Sequence, residues 1–200
     1  MTRAWSLLPL AVVLLVAGCG KEEAKQGDAL TFRVNPDRLG DRFESPGTGL
    51  TLRAPAGWNA LPESLVLAAM DRLRAAGTGI GDTEPEMLAL YRGAPEGATL
   101  AVSRYDVELP SSARDSLALL HLQAMRRQHP AAQVDDGRFA YRGYEVVQLR
   151  AVDSLTVAFK LLLSRKSQPL VQLDYVVPRS VYSRELEAVE SSIGSLEPRS

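Results

Sequence analysis

Four runs rich in β-branched, aliphatic and aromatic residues follow one another in the last third of the chain, at residues 132–141, 144–152, 156–165 and 170–177. They are separated only by Arg142-Gly143, by Asp153-Ser154 and by residues 166–169. Strands joined this tightly cannot run parallel, because a parallel return needs a crossover of about a dozen residues or more. Each must lie antiparallel beside its predecessor. Any fold of this chain is therefore built on an antiparallel sheet.

The preceding residues add strands and helices to that sheet. Residues 29–34 and 49–54 alternate apolar and polar positions, and Pro36 and Pro55-Ala56-Gly57 end the two runs. A hairpin is expected from residues 87–93 and 98–106, joined by Ala94-Pro95-Glu96-Gly97. Helical spacing places Leu65, Val66, Ala69, Met70 and Leu73 on one face of residues 62–76. The loop 77–85 is rich in glycine and polar residues. A second helix over 112–129 carries Leu117, Leu120 and Ala124 along a stripe, with Pro130 beyond its end. A last helix over 179–193 buries Val181, Leu186, Val189 and Ile193. The expected class is α+β, a mainly antiparallel sheet of about six strands with helices packed on it.

The amino terminus reads as an export signal. Arg3 precedes an apolar run over residues 7–17, L-L-P-L-A-V-V-L-L-V-A. A spanning helix needs about 20 apolar residues, whereas a signal core needs about 7 to 15. The run ends in Val16-Ala17-Gly18-Cys19, and Cys19 is the only cysteine in the chain. That pattern resembles the bacterial lipobox, which implies diacylglycerol on the Cys19 thiol and cleavage before it. Residues 1–18 are then a lipoprotein signal peptide. Residues 19–28 are polar and serve as a tether reaching at most about 35 Å. Residues 29–200 form the globular domain. Acyl chains contribute about 0.8 kcal/mol per buried CH₂ and are the only membrane anchor expected. Gly20, where Asp would favour inner-membrane retention, points to the outer membrane, with the domain facing the periplasm.

Several stretches in order resemble the PsbP-like superfamily, which includes the photosystem II extrinsic protein and the DcrB-type bacterial lipoproteins. They are Phe43-Glu-Ser-Pro-Gly-Thr-Gly-Leu-Thr-Leu-Arg-Ala-Pro-Ala-Gly-Trp58, Gly137-Arg-Phe-Ala-Tyr-Arg-Gly-Tyr144, Val157-Ala-Phe-Lys-Leu-Leu-Leu163, Leu170-Val-Gln-Leu-Asp-Tyr-Val-Val-Pro178 and Ile193-Gly-Ser-Leu196. The resemblance implies an α/β/α sandwich around a mainly antiparallel sheet. It supplies no catalytic residue, because the family shares no catalytic centre. In Pro-x-Gly-Trp the glycine is read as a turn, and Trp58 as a cover on the core edge.

Chemistry-bearing residues are sparse. His121 and His129 lie about 12 Å apart along one helix, too far to share a metal ion. His129 is read as a C-terminal cap and His121 as a partly buried helix residue. Asp135-Asp136-Gly137 lacks the alternating ligands of a calcium loop and reads as a turn or bulge. Gly77-Thr-Gly-Ile-Gly follows a helix and lacks a Lys-Ser/Thr pair, so it is no phosphate loop. Gly194-Ser195 ends a helix and is no nucleophile elbow. Glu84 and Glu86 flank Pro85 without an identifiable acid–base partner. Lys and Arg number 23 against 24 Asp and Glu, and without a basic run nucleic acid is not an expected partner. No cofactor or metal is expected. The expectation is a lipid-anchored envelope protein with a non-catalytic domain that binds another envelope protein or a small envelope component. The alternatives are an envelope enzyme with a hydrolase-like site of unusual composition, or a carrier with an apolar pocket between helices and sheet.

Overall fold

The computed structural model of the chain describes residues 32–75, 84–93, 97–105 and 111–199. Its strands are β1 (Leu39–Ser45), β2 (Leu50–Pro55), β3 (Trp58–Ala60), β4 (Glu86–Gly93), β5 (Thr99–Tyr105), β6 (Gln133–Tyr141), β7 (Tyr144–Val152), β8 (Thr156–Ser164), β9 (Leu170–Pro178) and β10 (Glu197–Pro198). The helices are α1 (Glu63–Ala75), α2 (Ser111–Gln128) and α3 (Tyr182–Gly194). Seven strands form one antiparallel sheet in the order β3-β4-β5-β9-β8-β7-β6. The other three make a small antiparallel sheet, β1-β2-β10.

The four carboxy-terminal strands are consecutive neighbours, as their short turns require. Between β6 and β7 the turn residues Arg142 and Gly143 have φ of 46° and 82°. Two successive positive φ values give the hairpin a twist that matches its strands. Tyr141 and Tyr144 then close the ladder as its last pair.

Alternation along β9 divides the molecule into two faces. Val171, Leu173, Tyr175 and Val177 point to one side, where they join Val189 and Ile193 of α3 and Leu50, Leu52 and Ala54 of β2 in the main core. Leu170 points to the other side and packs with Leu117 and Ala118 of α2. One face is therefore sealed by α3 together with the small sheet. The opposite face carries α2, packed over β6 and β7, and α1, packed against β4. Strands β5, β9 and β8 lie between those two helices. Trp58 is buried in the main core, as expected, its indole donating to Glu185 Oε2 at 3.0 Å. Gly57 before it has φ of 79°, a left-handed turn that costs any other residue backbone strain.

The structure corrects several expectations. Residues 32–34 form no ladder; the first strand is β1, and of the run expected as a strand, residues 29–31 lie outside the described residues. Phe32 instead packs edge-on against Tyr141 and beside Phe139. Asn35 N–H donates to Ser191 Oγ, so alternation there reflects packing on α3 and the β6 side. The three-residue β3 was too short to register as a strand, and it raises the main sheet to seven strands. Asp135-Asp136-Gly137 is neither turn nor bulge: all three sit in the regular β6–β7 register, with Asp135 bound to Arg150 at 2.6 Å. On α1 only Val66 is buried among the described side chains, while Leu65 is exposed. On α2 the buried stripe runs Leu117, Ala118, His121, Leu122 and Met125, leaving Leu120 in solvent. The loop 77–83 lies outside the described residues.

Candidate functional site

Because α1 and α2 leave the middle of their face uncovered, a cleft of 340 Å³ opens there. Its floor is a patch of cross-strand pairs. Lys160 on β8 lies opposite Asp174 on β9, and on the other flank Ala101 of β5 faces Asp174 and Ser103 faces Gln172. Met70 and Arg74 of α1 form one wall, and His121, Ala124 and Met125 of α2 the other. Met87 and the Glu84–Pro85 segment close one side.

A chain of hydrogen bonds crosses this floor. Lys160 Nζ donates to Asp174 Oδ1 at 2.5 Å, and Gln172 Nε2 donates to Asp174 Oδ2 at 2.5 Å. The ionised Asp174 accepts only, so it fixes the amide orientation of Gln172. Gln172 Oε1 then accepts from the Tyr105 hydroxyl at 3.0 Å. Having donated its proton, that hydroxyl accepts from His121 Nε2 at 2.9 Å, which fixes the imidazole tautomer. Five side chains from four elements are thus linked, with donation running from His121 through Tyr105 and Gln172, and separately from Lys160, to converge on Asp174.

The electrostatics follow from burial. His121 is 4% exposed, and desolvation, seconded by the nearby Lys160 charge, pushes its pKa from 6.5 down to about 3. Desolvation, with the Asp174 charge acting the same way, raises that of Tyr105 above its ordinary value. Both groups are locked in their neutral forms near neutral pH. A general acid or base needs a pKa near the operating pH, so this pair is built to position and not to transfer protons.

At the end of α2, His129 Nδ1 donates to Asp153 Oδ2 at 3.3 Å. Asp153 also accepts from the backbone of Thr156 at 2.6 Å and Leu155 at 2.7 Å. Those backbone N–H groups, Thr156 first, hold its carboxyl down at about pKa 2. His129 thus ties the helix end to the β7–β8 turn.

The structure brings the two histidines and Glu84 to one cleft and keeps the other described sequence candidates apart from it. Glu84 pairs with Arg74 at 3.0 Å and Glu86 with Arg104 at 2.6 Å. Gly194 ends α3, where an added Cβ would come within 2.8 Å of Phe32 Cβ. Cys19 lies outside the described residues. Among the described residues no three His, Cys, Asp or Glu side chains are grouped to hold a metal ion. Sequence reasoning missed Lys160, Gln172 and Asp174. The available signal was Lys160 itself, a single charge inside the otherwise apolar run Val157-Ala-Phe-Lys-Leu-Leu-Leu163.

No protein-family model matches the chain, and comparison with curated proteins finds no match. Among solved structures it is similar to cyanobacterial PsbP (CyanoP) from Synechocystis sp. PCC 6803, with a TM-score of 0.51 and 12% identity, over 82% of this chain and 95% of that one. The likeness is one of architecture, and this chain has a PsbP-like α+β fold.

Proposed function

We propose that this chain is a lipid-anchored, non-catalytic binding domain of the bacterial envelope, which takes a small component of its surroundings into the cleft between α1 and α2. The carrying observation is the cleft floor. Its polar groups are already joined in a hydrogen-bonded chain, and its histidine and tyrosine are held neutral. Such a floor orients a ligand without reacting with it. The lipobox-like Val16-Ala17-Gly18-Cys19 supports acylation of Cys19. Gly20 supports an outer-membrane site facing the periplasm, with residues 19–28 as the tether.

The test is to purify the protein from its native membrane and identify co-purifying small molecules by mass spectrometry, beside the variant Ala101→Phe. Ala101 faces the cleft, and a phenyl ring there fills part of it. Cargo carried by the wild type and lost from the variant is expected. An empty wild type, or cargo retained by the variant, would remove the cleft from the function. A protein-docking reading is favoured by one observation, the neighbouring Leu119 and Leu120 on α2, which are 54% and 43% exposed. Crosslinking at those positions in cells would then capture a partner protein.

A further inference from the structure

We propose that the cleft selects an uncharged, single-chain amphiphile whose carbonyl, ester or ether oxygen accepts a hydrogen bond from Lys160 Nζ. This rests on the cleft being the binding site.

Charge balance comes first. Among the described lining residues the ionised side chains are Arg74, Glu84, Lys160 and Asp174, and each cation is bound to one of the anions. Apart from His129, which is paired with Asp153, the described lining has no net charge. A charged ligand would enter a half-buried space with no countercharge left to meet it, and desolvation would oppose it.

Donor inventory comes second. An ammonium carries three protons, and Lys160 Nζ has a single described partner, Asp174. The Tyr105 hydroxyl is already used as both donor and acceptor. Lys160 therefore brings spare donors to a floor that also offers the Ser103 hydroxyl and the second N–H of Gln172, and the complement of that donor surplus is a ligand oxygen.

Size and walls complete the match. Met70, Met87 and Met125 line the cleft, and Val176 on the floor is 36% exposed. Thioether side chains adapt to an irregular apolar chain. A volume of 340 Å³ lies at the small end of the roughly 300 to 1,000 Å³ range of ligand pockets. That volume suits one acyl chain better than two.

The experiment offers the full-length protein an equimolar mixture of monolauroylglycerol, dodecanoate, dodecyltrimethylammonium and dodecylphosphocholine. After gel filtration the retained amphiphiles are quantified by mass spectrometry, with Ala101→Phe as the baseline. Monolauroylglycerol should exceed each charged or zwitterionic competitor roughly tenfold. Equal retention of all four above the baseline overturns the selectivity and leaves the cleft as a binding site. Retention equal to the baseline for all four removes both. The paired variant Lys160→Met with Asp174→Asn keeps an acceptor for Gln172 and leaves no buried lone charge. Folded, as judged by an unchanged circular dichroism spectrum, it should lose the preference for monolauroylglycerol. A preference that persists assigns the selection to groups other than Lys160 and overturns the proposal.

Discussion

His121 is where a single side chain has the most measurable consequence. Its folded pKa of about 3 lies below the ordinary 6.5, so between those values the unfolded chain binds a proton that the folded one refuses. The stability contributed is complete above about pH 6.5 and falls as the pH drops, by at most about 1.4 kcal/mol per pH unit for one proton. His121→Gln keeps an N–H for the Tyr105 hydroxyl and removes the titration. Urea unfolding between about pH 7 and about pH 4.5 should show a steeper loss in the wild type than in the variant. Parallel slopes would place the titrating group elsewhere. Trp58 supplies a second case. Trp58→Phe keeps a ring in the core but removes the bond to Glu185 and part of the indole contact. A loss of about 1–3 kcal/mol is expected in denaturant midpoints, and an unchanged midpoint would show that the indole N–H contributes nothing.

At the scale of elements, the helices differ in how firmly they are held. Helix α3 buries Ala188, Val189, Ser191, Ser192, Ile193 and Gly194 against the main core. Helix α1 buries Val66 alone among its described side chains and packs against one strand, β4. Opening free energies follow buried contact. Amide exchange followed by mass spectrometry should therefore be faster in α1 than in α3, and comparable protection would contradict this account of the cleft wall. The same unevenness explains what was legible in the sequence. Strands β6 to β9 were readable because short turns permit one arrangement, and the long apolar runs of β8 and β9 mark buried strands. Strand β3 has three residues and no periodicity. The α2 stripe expected from Leu117, Leu120 and Ala124 left out His121, read only as partly buried, which faces fully inward because Tyr105 satisfies its ring there. The cleft floor was illegible for another reason. Lys160, Gln172 and Asp174 become neighbours only through the β8–β9 register, which the order of residues does not state.

For the molecule as a whole, the anchoring proposal puts the domain on a lipid, and the fold leaves one face partly open. Cys19→Ser tests the first half. The wild type should partition into detergent and carry acyl mass on its first mature peptide. The variant should accumulate as uncleaved precursor, or be released if an ordinary signal peptidase accepts Val16-Ala17-Gly18. A wild type free of lipid would end the anchoring proposal.

Strand β9 gives its odd-numbered residues 171–177 to the core and Gln172, Asp174 and Val176 to the cleft. One ribbon of backbone is thus read twice, once on each side. A one-residue insertion or deletion within it would exchange the two readings, driving Asp174 toward the leucines and presenting Leu173 and Tyr175 to solvent. Drift in this lineage should therefore proceed by replacement within β9 and by length changes elsewhere, since a frame slip there would put the core face and the cleft face on the wrong sides in the same event.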